Sequence, residues 1–240
     1  MEESRGQAGQ RGDVMDLIAA FLREESKCAS LPCTVFLCGS HARGEAGPRS
    51  DIDLCCAGEF PAFSRGSDWF LGVEFQWMAA PWEWYEDVVR RHDRSGNVGT
   101  ITAMVAQGVF LRGDELKFQQ LQELAQSFFA KGPEPADDSE IRRLRVRLTA
   151  LWANWQDAEG DMARKWLACH LVSACVETHF RLRGWWAVKP KDQLAQLEQR
   201  DPQVARKVYA ALSSDEAALE WLCHHVLEQV GGLMREPWRA

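Results

Sequence analysis

The feature that most constrains this chain is a turn and a pair of acidic residues held between two apolar segments. Residues 34–37 are β-branched or apolar and favour a buried strand. Gly39 and Ser40 follow that strand, and Asp51 and Asp53 open the next apolar segment. Because alternate side chains of a strand share a face, the two carboxylates are predicted to project together while the residue between them faces the core.

Each half of this pattern suits one part of a nucleotide. Gly39 has no Cβ, so backbone N–H groups at the turn can approach a phosphate closely, and the Ser40 hydroxyl adds a donor. Two adjacent carboxylates repel each other, and Mg²⁺ relieves that repulsion while taking phosphate oxygens as further ligands. The pattern therefore predicts phosphate chemistry on a nucleotide.

The segment 39–54 resembles the signature of the DNA polymerase β-type nucleotidyltransferase superfamily, which is Gly-Ser, a spacer of about ten residues and Asp-x-Asp. It also fits the form found in small bacterial antibiotic nucleotidyltransferases of the aminoglycoside type. The resemblance implies a small mixed sheet with helices, two Mg²⁺ ions, and transfer of a nucleoside monophosphate (AMP, if the co-substrate is ATP) to an acceptor. It implies metal contacts for Asp51 and Asp53, and nucleotide contacts for Gly39, Ser40, Arg43 and Ser50.

A third carboxylate is expected on a neighbouring strand. Residues 72–78 alternate apolar with polar side chains, which is typical of a half-buried strand, and Glu74 is the only acid among them. Its place resembles that of the family's third carboxylate, which implies metal contact, a general base for the acceptor hydroxyl, or both. Three later acids are interpreted first as charges at a helix start, although one of them could be the base instead: Glu83, Glu86 and Asp87.

The clearest linker is 131–135, which contains glycine and two prolines. It divides an α/β nucleotidyltransferase catalytic domain, residues 1–133, from an all-α domain, residues 134–240. The second part resembles the C-terminal helical bundle of kanamycin- and streptomycin-type nucleotidyltransferases. In those enzymes a lysine from an aromatic, proline-containing loop reaches the nucleotide phosphates, which implies nucleotide binding by Lys191, with Lys189 as the alternative.

Two further local predictions concern a loop and a helix cap. Residues 59–68 contain Pro61 and Gly66 and are predicted to form a loop between the second and third strands. Ser213 or Ser214 is predicted to cap the last helix.

Charge and hydropathy narrow the class of partner. The net charge is −6 over residues 1–133 and −1 over residues 134–240. Long nucleic acid binds to basic surfaces, so an acidic catalytic half is not expected to bind it. An acidic surface does favour the binding of a small cationic acceptor. No apolar run reaches about 18 residues and no leader peptide is evident, so a cytoplasmic protein without a membrane segment is expected.

The leading hypothesis is therefore an enzyme that binds a nucleoside triphosphate and a small-molecule acceptor of the aminoglycoside or lincosamide type. The first alternative is a protein-adenylylating member of a toxin–antitoxin system, because Arg164 and His170 have a spacing found in the helical ribonuclease partners of such enzymes. The second is a catalytically silent nucleotide-binding protein, against which the paired aspartates argue. Related antibiotic enzymes can complete their site across a dimer, so a homodimer is left open.

Overall fold

The computed structural model describes residues 13–24 and 32–234. The chain divides into two compact units: Met1–Arg94 with Gly99–Lys131, and Ser95–Val98 with Gly132–Ala240. Among the residues that the structure describes, no helix is both long enough and apolar enough to cross a membrane.

The first unit is built on a five-stranded mixed sheet. Its strands are β1 (Cys33–Cys38), β2 (Ile52–Gly58), β3 (Ser64–Phe70), β4 (Val73–Pro81) and β5 (Val109–Arg112). Their order across the sheet is β3-β4-β2-β1-β5. The β2–β4 pair is parallel, and the other three pairs are antiparallel.

Short helices accompany this sheet. They are α1 (13–21), α2 (Gly39–Arg43), α3 (Trp82–Asp87), α4 (Asp93–Ser95), α5 (Thr100–Ala106) and α6 (Glu115–Lys131). A π-helical turn, Val88–His92, joins α3 to α4. Residues 82–95 are therefore helical without a break, with the π-helical turn in the middle.

The alternation of apolar residues gives the sheet a core on each face. On one face, Phe21 of α1 stacks on Phe75 of β4 with ring centroids 4.0 Å apart. On the other face, Phe36 of β1 packs against Tyr85 of α3 and Phe118 of α6. Asp53 alternates with the residues of the first core, so its side chain lies on the second face.

The prediction that residues 59–68 form a loop is wrong for their second half, because β3 occupies Ser64–Phe70. This edge strand has few apolar residues, and its pairing with β4 is what makes it a strand. Two contacts fix it. The Trp77 indole N–H donates to the Asp68 carboxylate at 2.8 Å, and the Trp77 ring lies so close to Gly66 that a Cβ there would meet it at 2.6 Å.

In the residues that the structure describes, the regular structure of the second unit is all helical. It contains α7 (Asp138–Gln156), α8 (Asp161–Leu182), α9 (Pro190–Arg200), α10 (Pro202–Leu212) and α11 (Glu216–Leu227), followed by a 3₁₀ turn, Glu228–Val230. Buried Arg181 joins α8 to α7 through two hydrogen bonds to the Glu140 carboxylate. A small mixed sheet with helices, followed by an all-helical part, confirms the predicted fold class.

The cap of α11 differs from the prediction. Asp215 is the N-cap, and its carboxylate accepts a hydrogen bond from the Ala218 backbone N–H at 3.0 Å. Ser213 and Ser214 belong instead to the turn that ends α10, where Ser214 has a left-handed φ of 72°. Because aspartate caps as well as serine does, the sequence offered three adjacent candidates.

Acid is expected to destabilise the helical unit through His179. Burial lowers the pKa of His179 from 6.5 to about 4, although the Asp201 carboxylate 3.3 Å away favours the charged form. Between these pH values the unfolded chain binds a proton that the folded chain does not, so stability is complete above pH 6.5 and falls toward pH 4. The expected loss is roughly 3 kcal/mol.

Urea unfolding at a series of pH values measures this effect, with His179→Gln as the test and His170→Gln, an exposed position on the same helix, as the control. We expect His179→Gln to flatten the acid slope and His170→Gln to leave it unchanged. Equal slopes in all three proteins would assign the acid sensitivity to other groups.

Candidate active site

The turn and the acidic pair meet through Gly39 and Asp53. Gly39 has a left-handed φ of 66°, and a Cβ built on it would lie 1.9 Å from Asp53 Oδ2. The pairing of β1 with β2 explains the short distance between Gly39 and Asp53, since Cys38 at the end of β1 is paired with Asp53 on β2. The absence of a side chain at Gly39 therefore lets a carboxylate lie directly against the turn where α2 begins.

The other carboxylates are positioned by the parallel β2–β4 pair, in which Asp53 lies opposite Gln76. Asp51 and Glu74 each precede these residues by two, so they share the same face of the sheet. Continuing the register to this row places Asp51 opposite Glu74, with their backbones about 5 Å apart. Glu74, like Asp51 and Asp53, is half-buried.

These donors fit a divalent cation that is bound together with a nucleotide. Within residues 13–24 and 32–234, no three His, Cys, Asp or Glu side chains converge closely enough to hold a metal ion. Glu74 is thus not drawn into one cluster with Asp51 and Asp53. However, Mg²⁺ commonly takes only one or two protein carboxylates and completes its shell with water and phosphate oxygens. The aspartate pair has the chemistry for that role.

Two buried thiols lie beneath the aspartates. The Cys38 thiol donates to Cys55 Sγ at 3.3 Å. Burial, the Cys55 contact and the negative charge of Asp53 hold the pKa of Cys38 well above its usual value. The residue next to Asp53 on β1 is therefore a neutral thiol, which adds no charge of its own to the site.

Arg43 and Ser50 both have partners within the connection from α2 to β2. Arg43 Nε donates to the Glu45 carboxylate at 2.7 Å, an exposed ion pair. Ser50 Oγ accepts the Gly47 backbone N–H at 2.9 Å and closes a turn just before Asp51. The structure thus gives each residue a local role, and their contacts with a nucleotide stay predictions.

Two of the three acids of α3 form surface ion pairs. Glu86 lies 3.8 Å from Arg90. Asp87 contacts Arg91 and lies 3.0 Å from His92 Nε2. Glu83 is exposed in the first turn. These positions match the interpretation as helix charges.

Lys189 and Lys191 belong to the second compact unit. Lys189 is the residue before α9, and Lys191 lies in its first turn. Both are exposed. Their predicted contact with the phosphates stays a prediction.

Sequence reasoning missed the contact between Gly39 and Asp53, because it depends on the pairing of β1 with β2. It also missed Gln76, which lies opposite Asp53. The available signal for Gln76 was its polar position in the alternating pattern of β4. Alternation alone, however, does not give the register of β4 with β2.

Comparison with known proteins finds a family match in the N-terminal part of the chain. Residues 15–94 match the model of the nucleotidyltransferase domain family, which covers the turn and all three carboxylates. Among solved structures, the chain is similar to a nucleotidyltransferase-like protein from Exiguobacterium sibiricum 255-15 at 12% identity and a TM-score of 0.38, over 94% of this chain and 82% of that one. No curated protein matches significantly. The match to a nucleotidyltransferase domain model confirms the prediction of a transferase enzyme.

Proposed function

We propose that the protein transfers a nucleoside monophosphate, AMP from ATP, to a hydroxyl of a small-molecule acceptor. The observation that carries this proposal is the contact of the Gly39 turn with Asp53, where a Cβ would come within 1.9 Å of the carboxylate. A turn that can bind phosphate and a carboxylate that can hold a cation are thereby placed together. A triphosphate bridges two such groups naturally, because its oxygens serve both.

The phosphates are bound from two sides. Backbone N–H groups at the start of α2 and the Ser40 hydroxyl donate to the triphosphate oxygens. Asp51 and Asp53 would hold Mg²⁺, and Glu74 on the neighbouring strand would be available to a second ion. Bound Mg²⁺ neutralises charge on the phosphates and polarises the α-phosphoryl group.

Transfer is an in-line displacement at the α-phosphorus. The acceptor oxygen forms a bond to phosphorus, the bond from the α-phosphorus to the bridging oxygen breaks, and pyrophosphate leaves with that electron pair. Glu74 takes the proton of the attacking hydroxyl, since it shares a face with the aspartates without being drawn into one cluster with them. The site residues therefore have three proposed roles, which are phosphate binding, cation binding and proton removal.

The acceptor is proposed to be cationic. The chain has a net charge of −7, and residues 1–133 carry −6 of it. The three site carboxylates are among these charges, and the field attracts positively charged small molecules and repels long nucleic acid. An amino sugar, such as an aminoglycoside antibiotic, combines protonated amines with the hydroxyl groups that the reaction needs, and its modification would give antibiotic resistance.

Pyrophosphate release tests the proposal. The wild type and Asp51→Asn are incubated with Mg²⁺, each of ATP, GTP, CTP and UTP, and a panel of aminoglycosides, lincosamides and simple amino sugars. We expect release that requires one nucleotide, one acceptor class and Asp51. Release that is equal in Asp51→Asn would reject the cation role of that residue.

The alternatives give different results in the same experiment. A mass increase of one nucleotide on the protein itself or on a co-expressed partner protein, without release on small acceptors, would replace this proposal with protein adenylylation. Binding of ATP with no release on any acceptor would indicate a silent nucleotide-binding protein.

A further inference from the structure

The β3–β4 hairpin extends the carboxylate face beyond Glu74. Trp69 of β3 is paired with Glu74 of β4 in antiparallel register, so the two side chains share a face. Trp69 and Glu74 thus form a cross-strand pair. Continuing the β2–β4 register one residue beyond Ile52 brings Asp51 into the same row, which spans about 10 Å at the strand spacing of a sheet. The indole lies at the outer end of the row that begins with the proposed cation ligands.

The tip of this hairpin presents apolar surface to solvent. Trp69 is 74% exposed and Leu71 is 78% exposed. The turn between the strands consists of Leu71 and Gly72, with φ values of 50° and 82°. Such turns favour Asn-Gly, and a left-handed leucine is strained. Burial does not compensate for that strain, because the Leu71 side chain is exposed.

The charges beside Trp69 indicate what that contact is. Its neighbour in the row is Glu74, followed by Asp51 in the continued register. The one basic residue on this face of β3, Arg65, lies four residues away from Trp69. An aromatic face next to carboxylates attracts a molecule that has protonated amines and a flat C–H surface. We infer that Trp69 is the platform of an acceptor subsite, on which an amino sugar stacks while its amines face Glu74. This inference rests on the proposed function.

Fluorine NMR tests binding without catalysis. The protein is labelled with 5-fluorotryptophan, and the resonances of Trp69 and Trp166 are assigned from Trp69→Phe and Trp166→Phe. Trp166 is the matched control, because it is 65% exposed but lies in the helical unit. Kanamycin is the amino sugar probe, and sucrose is the neutral sugar control. We expect kanamycin to shift the Trp69 resonance with saturation, sucrose to leave it unchanged, and Trp166 to respond to neither.

Two results would overturn the inference. One is a Trp69 resonance that kanamycin leaves unmoved at millimolar concentration, or that moves together with Trp166. The other is a Trp69 resonance that depends on protein concentration alone, which would place a second copy of the chain on the hairpin.

Kinetics separates this inference from the proposed function. With the amino sugar that supports pyrophosphate release, Trp69→Ala is expected to raise the acceptor KM about tenfold and leave the ATP KM unchanged, and Trp69→Phe to restore most of the loss. Release with an acceptor KM that is unchanged in Trp69→Ala would reject the platform and keep the transferase proposal. A saturable shift of Trp69 without release on any acceptor would keep the platform and reject the transfer.

Discussion

Asp53→Asn is expected to lower kcat/KM for nucleotidyl transfer by about a thousandfold or more and to leave the fold intact. The asparagine has the same shape, so it fits against Gly39 as the carboxylate does. It loses the negative charge that, in the proposed mechanism, holds Mg²⁺ against the phosphates, and such electrostatic stabilisation is worth several kcal/mol in the transition state. Pyrophosphate release with ATP and the acceptor measures the loss, and thermal unfolding shows that the variant is folded.

Asp68→Asn is the matched control for Asp53→Asn. It removes one carboxylate from the same sheet, but on the opposite face, where Asp68 accepts the hydrogen bond of Trp77. The amide oxygen can accept the same bond, so activity should be retained. Activity that falls equally in both variants would show a general response to charge rather than a role of Asp53 at the site.

Gly39→Ala is expected to have the second largest effect. The added Cβ would lie 1.9 Å from Asp53 Oδ2, so either the carboxylate or the turn must move. The left-handed φ of 66° adds a backbone penalty of about 1 kcal/mol. We expect a loss of activity of about a hundredfold, since a small displacement of a catalytic group is costly. Pyrophosphate release and thermal unfolding report the two effects separately.

Gly44→Ala separates the effect of backbone strain from that of the steric clash with Asp53. Gly44 also has a left-handed φ, 73°, but a Cβ there would meet no atom within 4 Å. It therefore incurs the backbone penalty and leaves Asp53 in place, so we expect reduced stability with nearly normal kcat. Equal activity losses in Gly39→Ala and Gly44→Ala would contradict the assignment of the effect to Asp53.

The parts of the fold that local chemistry determines could be predicted from the sequence. Residues 34–37 carry their own strand preference, and the alternation around Glu74 marks β4 without reference to any partner. The two aspartates share a face because strands alternate, which needs no knowledge of the sheet. The predicted linker at 131–135 depends on glycine and proline, whose effects on the backbone are local.

Features that depend on distant pairing could not be predicted. β3 contains Ser64, Gly66 and Asp68, which favour a loop, and only its pairing with β4 and the Trp77 contacts make it a strand. Trp69 lies between the predicted loop 59–68 and the predicted strand 72–78, so its face of the sheet could not be predicted either. The contact of Gly39 with Asp53 likewise follows from the register of β1 with β2, which the sequence pattern leaves undetermined.

The position of β5 has a consequence for biosynthesis. β1 lies between β2 and β5, so one edge of β1 is covered only by residues about 70 positions later in the chain. While the ribosome is still adding those residues, the nascent sheet presents an open strand edge, which favours pairing with other chains. A shortened chain that ended before β5 would contain the turn and every site carboxylate, yet it would lack the strand that closes that edge.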